Sequence, residues 1–105
     1  MHKVLFICNF NQNRSRTAED LFKDLFDTKS AGILNNPVSE KDLEWADLVV
    51  VMEDGQRSYI AQKFPRLYLK KKIISLDIDD YYRYMQPELV ELLNSKLSHI
   101  KESLS

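Results

Sequence analysis

Two uninterrupted apolar runs, Val4-Leu5-Phe6-Ile7 and Leu48-Val49-Val50-Val51-Met52, constrain the fold more than any other feature of this chain. A strand with one wet face alternates apolar and polar residues, whereas an unbroken run belongs to a strand covered on both faces, as in a parallel sheet flanked by helices. Each run leads through a polar stretch into a helical pattern. After the first, Ala18, Leu21, Phe22, Leu25 and Phe26 recur at the i, i+3, i+4, i+7, i+8 spacing of an amphipathic helix that begins near Ser15. After the second, Asp54 and Gly55 open a helix that Pro65 ends.

The remaining segments extend the same alternation. Lys29 to Gly32 reads as a short second strand, and Asn35, Asn36 and Pro37 make a turn. A short helix follows from Ser39, with Asp42 placed to complete a capping box. Ile73, Ile74 and Leu76 mark the last strand. Beyond it lies an acidic and aromatic loop from Asp77 to Gln86, then Pro87 as the first residue of a helix whose buried stripe is Leu89, Leu93, Leu97, Ile100 and Leu104. Four strands alternating with helices predict an α/β three-layer sandwich: a four-stranded parallel sheet with flanking helices and right-handed crossovers. Its ligand crevice would lie beyond the carboxyl ends of the strands, where Cys8 and Asp77 both fall. The 105 residues contain no internal repeat, low-complexity tract or long linker, so one domain over 1–105 is expected. That length buries a core without disulfides or a structural metal.

Charge and cysteine usage narrow the function. A formal net charge of -1 provides no broad positive field for nucleic acid, and Lys70, Lys71 and Lys72 read as a solvated approach to a strand. The single cysteine, Cys8, has no internal disulfide partner. The apolar run from Val4 to Cys8 is too short for a signal-peptide core or a membrane span, so a cytoplasmic protein without membrane contact is expected. Trp45, His2 and His99 read as packing or surface residues. No metal-ligand spacing surrounds either histidine, and the pattern calls for no metal and no other cofactor.

The loop between the first strand and the first helix carries the chemistry. It reads Cys8, Asn9, Phe10, Asn11, Gln12, Asn13, Arg14, Ser15. Backbone N–H groups of a tight loop, with the first turn of the helix behind them, make a concavity that attracts phosphate. The same field favours a thiolate, which is the nucleophilic form of cysteine. Arg14 supplies a planar fork able to hold two phosphate oxygens. Ser15 is placed either to donate its hydroxyl to the Cys8 sulfur or to cap the helix. The loop contains no glycine, and Asn9, Asn11 and Asn13 are expected to take the positive-φ and loop-tying roles instead.

Beyond the loop, Lys3 through Cys8, Asn11, Arg14-Ser15 and Thr17-Ala18-Glu19-Asp20-Leu21-Phe22 together resemble the opening of the low-molecular-weight protein tyrosine phosphatases. Ser30-Ala31-Gly32 and Ala46-Asp47-Leu48-Val49-Val50-Val51-Met52 extend the resemblance over most of the chain, with a shortened middle. The resemblance implies a four-stranded parallel sheet, a phosphocysteine intermediate on Cys8 and a phosphorylated substrate. It also implies an aspartate that protonates the leaving group, which the family carries in an Asp-Pro-Tyr-Tyr motif. Here the loop is Asp77-Ile78-Asp79-Asp80-Tyr81-Tyr82, and the proline is absent. Literal matching selects Asp79. A compact branch with Leu-Asp-Ile-Pro-Asp is similar to Leu76 through Asp80, which points to Asp77 and Asp80, and reach over Cys8 favours Asp80.

In the family, paired tyrosines grip an aromatic ester; Tyr81, Tyr82 and Tyr84 stand in that region, where they serve equally well as packing. Phe10 replaces a usual glycine and would narrow or floor the pocket, which bears on any preference for phosphotyrosine. Arg16 stands where a proline often follows the serine. Three other readings fit parts of the pattern. Arsenate reduction would need an external thiol. A IIB-type sugar phosphocarrier accounts for neither Arg14 nor the aspartates. A phosphate-binding module without turnover would keep the loop and lose the acid.

Overall fold

The computed structural model describes residues 1–105. β1 (Lys3–Ile7), β2 (Asp27–Ala31), β3 (Leu48–Val51) and β4 (Ile73–Ser75) form one parallel sheet in the order β2-β1-β3-β4. The unbroken apolar runs are the two central strands. Val4, Phe6, Leu48 and Val50 face one layer of helices, and Leu5, Ile7, Val49 and Val51 face the other; all are fully buried. Each contributes about 1.5–3 kcal/mol by leaving water. On the first face lie α1 (Arg14–Phe22), α5 (Pro87–Ser95) and α6 (Leu97–Leu104), through Ala18, Phe22, Leu89, Leu93 and Ile100. On the second lie α2 (Glu40–Trp45), α3 (Asp54–Lys63) and α4 (Pro65–Lys70), through Leu43, Ile60 and Leu67. The three-layer α/β sandwich expected from the sequence is therefore the fold. No helix is long and apolar enough to cross a membrane.

Strand order reverses direction at β1 and β3, and such a switch point opens a crevice at the carboxyl ends of the strands. Cys8 leaves β1 there, Met52 and Glu53 leave β3, and Leu76 to Ile78 leave β4. Backbone bonds seal the junction: Met52 N donates to Ile7 O, and Ile78 N donates to Met52 O.

Several elements depart from the periodic reading. α1 stops at Phe22, so Leu25 is exposed and Phe26 is buried from a turn, not from a helix face. The reason lies in the register: Asp27 must pair with Lys3 to start β2, which leaves no length for another helical turn. β2 begins earlier than its apolar content indicates, because an edge strand buries only Ala31 and keeps polar residues elsewhere. Pro65 ends α3 and also occupies the first turn of α4, a helix that the sequence pattern did not reveal. The C-terminal stripe is divided between α5 and α6. Ser95 Oγ donates to Leu92 O, and side-chain bonds of this kind compete with the helical ladder. Lys71 is not simply solvated: its ammonium donates to Glu44 O and Ala46 O at the end of α2.

The capping box at Ser39 is present, with Asp42 N donating to Ser39 Oγ and Ser39 N donating to Asp42 Oδ2. Ser39→Ala is expected to lower the unfolding free energy by about 1 kcal/mol, read from the midpoint of urea denaturation. An unchanged midpoint would mean that Leu43 packing alone holds α2.

Candidate active site

Cys8 to Ser15 wraps around the end of β1 and runs directly into α1. Of its three asparagines only Asn11 takes a positive φ, 53°, supplying the bend that a glycine would otherwise provide. Its amide also organises the site. Asn36 Nδ2 donates to Asn11 Oδ1 (2.8 Å), and Asn11 Nδ2 donates to Ser15 Oγ (2.9 Å). With its oxygen accepting from Asn11, Ser15 has its hydroxyl proton free for Cys8 Sγ, 3.0 Å away. Asn13, not Ser15, is the N-cap residue of α1, so of the two roles expected of Ser15 the geometry shows contact with the sulfur.

Asn9 and Asn13 use their side chains to reach across the crevice. Asn9 Oδ1 accepts from Gln56 Nε2 (2.8 Å), while Gln56 Oε1 accepts from Met52 N and Glu53 N. One buried glutamine thereby fastens the Cys8 loop to the β3–α3 junction. Asn13 Oδ1 accepts from Tyr84 N. Beneath the loop, Ile33 N and Leu34 N donate to Asn9 O.

Arg14 is buried, with 1% of its surface exposed. Its Nη1 donates to Glu53 Oε1 (2.6 Å) and to Ile78 O (2.7 Å). Its Nε is buried with no partner, and the nearest carboxylate oxygen, Asp80 Oδ1, lies 3.6 Å away. Buried donors are nearly always satisfied, so an orphaned guanidinium N–H in a crevice marks a place for an acceptor.

The crevice has a volume of about 310 Å³. Cys8, Phe10, Gln12, Asn13 and Arg14 line one side, and Asp80, Tyr81, Tyr82 and Arg83 line the other. Phe10 is half exposed and forms a wall, not a floor. Tyr81 is 80% exposed and meets Tyr82 edge to face, while Tyr82 packs partly against the core. Tyr84 lies beside the crevice with its phenol bonded to the Asp20 carboxylate. That hydrogen bond, foremost among the causes, raises the Tyr84 phenol above its ordinary value.

The structure separates the three aspartates. Ile78 is fully buried and bonded at both its N–H and its carbonyl, anchoring the loop between Asp77 and Asp79. Asp77, with φ 54°, accepts from Ser75 Oγ and does not line the crevice; Asp79 is exposed and does not line it either. Asp80 alone of the three lines it, beside Arg14. Trp45 packs on the second core under Lys29, and His2 and His99 are exposed, all away from the crevice.

Glu53 and Gln56 escaped the sequence reading, and Asn36 and Gly32 entered it only as a turn and a strand end, without a part in the site. Glu53 and Gln56 open α3 immediately after β3, so their place at a strand's carboxyl end was an available signal. A Cβ on Gly32 would lie 2.1 Å from Asn35 O, 3.0 Å from Asn9 O and 3.1 Å from Asn11 N.

The arrangement is a strand–loop–helix turn at the switch point of a parallel sheet, with Cys8 and a buried arginine facing one crevice, and the fold is that of the low-molecular-weight protein tyrosine phosphatases. Wzb, a tyrosine phosphatase from Escherichia coli K30 solved with phosphate, superposes with a TM-score of 0.78 at 21% identity, over 98% of each chain. A Vibrio cholerae low-molecular-weight phosphotyrosine phosphatase gives 0.80 at 17% identity, over 98% of this chain and 96% of that one. A YwlE arginine phosphatase variant with a phosphorylated active-site serine gives 0.73 at 25% identity, over 94% of this chain and 95% of that one. No protein-family model and no curated protein sequence matches the chain.

Gly32→Ala is expected to cost about 1–3 kcal/mol of stability through overpacking beneath the loop, and to weaken inorganic phosphate binding. Urea denaturation and a phosphate titration check the two effects; a variant as stable and as tight as the parent would show that the loop yields freely.

Proposed function

We propose that this chain is a member of the low-molecular-weight phosphatase family, a single-domain, cysteine-dependent phosphatase acting on phosphotyrosine in proteins. The observation that carries the reading is the buried Arg14 Nε, unpartnered beside Cys8, in a guanidinium whose Nη1 is already taken by Glu53 and Ile78. That leaves an edge of the fork for phosphate oxygens, where it stabilises the charge of transfer with the loop N–H groups and no metal is required for that task.

In the first step the Cys8 thiolate attacks phosphorus, the bond from phosphorus to the ester oxygen breaks, and Asp80 gives its proton to the departing oxygen. In the second, Asp80 takes a proton from water as that water attacks the phosphocysteine. The sulfur–phosphorus bond breaks, releasing inorganic phosphate and restoring the thiolate. Ser15 donates to the sulfur as it gains charge, 3.0 Å away. A lone thiolate nucleophile suits a reducing compartment, and the cytoplasm is the proposed setting.

Phe10 and Tyr81 offer aromatic faces at the rim, which suits an aryl ester. Arg83 at the same rim sets a like charge against the guanidinium of a phosphoarginine, the substrate class that the name of the YwlE neighbour carries.

Hydrolysis of para-nitrophenyl phosphate tests the reaction, and phosphotyrosine and phosphoarginine peptides assayed side by side test the substrate. Cys8→Ser is expected to abolish turnover while phosphate still binds. Asp80→Ala is expected to lower kcat by about 10²- to 10³-fold, with Asp77→Ala and Asp79→Ala within about threefold of the parent. Phosphate binding without turnover in the intact, reduced protein would sink the hydrolase in favour of a binding module or phosphocarrier.

A further inference from the structure

Asparagine is among the best helix N-caps because its side chain can bond back to the first free N–H groups of the helix, which is worth about 1 kcal/mol. Asn13 stands at the N-cap of α1 and makes no such bond. Its Oδ1 accepts instead from the backbone N–H of Tyr84 at 2.9 Å, across 71 residues of sequence. Thr17, one turn on and fully buried, acts alongside: its hydroxyl donates to Asn13 O and accepts from Met85 N. Two side chains at the start of α1 thus receive two consecutive N–H groups of the loop that carries Asp80. The loop's other end is fixed by Ile78, buried in the core. Asp80 lies on the short span between these anchors, and Met85 is held at φ 58°, a bend that a residue with a side chain adopts only when its surroundings impose it.

We propose that Asn13 is a positioning residue that couples the phosphate loop to the acid loop, giving up its helix cap to hold Asp80 over Cys8. The inference rests on the phosphatase reading. Asn13 belongs to the segment that would cradle the phosphate and bonds to the segment that would deliver the proton, so it fixes the distance between acid and nucleophile. Its loss would let the span from Asp79 to Arg83 relax while leaving Cys8 and Arg14 in their own network of Ser15, Asn11, Glu53 and Ile78.

A defect in proton delivery is distinguished from a general defect by the leaving group. Phenolate needs a proton as it departs, whereas 2,4-dinitrophenolate leaves readily without one. For Asn13→Ala, kcat/KM, which covers the steps only as far as departure of the leaving group, is expected to fall about 10- to 100-fold more on phenyl phosphate than on 2,4-dinitrophenyl phosphate. Asn13→Asp keeps the acceptor and is expected to restore the parent ratio of the two kcat/KM values while its charge lowers both. If Asn13→Ala does not fold, Asn13→Ser, a good N-cap too short to reach Tyr84, reads the same two rates. Equal losses on both esters would overturn the proposal, since that is what a merely distorted pocket gives. The intact protein and Asp80→Ala, run in parallel, separate the two levels. An intact protein inactive on both esters brings down the phosphatase reading and this inference together; an active one with a leaving-group effect for Asp80→Ala and none for Asn13→Ala brings down this inference alone.

Discussion

The buried guanidinium of Arg14 is the constraint on which the rest of the site depends. Taking such a charge out of water costs several kcal/mol unless it is paired and hydrogen-bonded. Here Glu53 from the end of β3 and the Ile78 carbonyl from beyond β4 meet that demand, so one side chain at the start of α1 joins all three segments around the crevice. The demand is met only in part, because Nε stays unpaired. On the proposed reading, an anion bound in the crevice would complete the structure as well as occupy it, and by mass action its binding would raise stability.

A loop around an anion needs bends and close approaches, usually supplied by glycine. This chain contains only two glycines, and neither is in the Cys8 loop. The roles are distributed. Asn11 takes the left-handed bend, Gly32 gives up a side chain so that the neighbouring backbone can approach, and Asn36 holds the Asn11 amide in register. The result is a loop whose shape is set from outside as much as from within, by the turn after β2 and by Gln56 after β3.

The sheet was legible because its two central strands are buried on both faces, which forces unbroken apolar sequence. Edge strand β2 was legible only in outline, since one buried residue, Ala31, leaves little signal. Helix ends were the weakest point, because α1 is cut short by where β2 must begin and the C-terminal stripe continues through a break at Lys96. In the site, Cys8, Arg14 and Ser15 stood out because residue type and place between strand and helix coincide. Glu53 and Gln56 did not, since a polar pair opening a helix is ordinary and only the meeting of β1 and β3 makes them neighbours of Cys8. Among Asp77, Asp79 and Asp80 the sequence favoured Asp80 by reach alone; that Ile78 is a core residue, which fixes what lies on either side of it, was not legible there.

Asp77 and Met85 both carry positive φ, so the loop that holds Asp80 begins and ends in bends that residues with side chains rarely adopt. Surface loops ordinarily tolerate insertions and deletions. Between two fixed bends, one residue more or fewer would rotate Asp80 away from Arg14, whatever residue it was. For this segment, chain length is under tighter restraint than some of its letters: Asp79, exposed and off the crevice lining, leaves room for exchange of its side chain but none for a change of count.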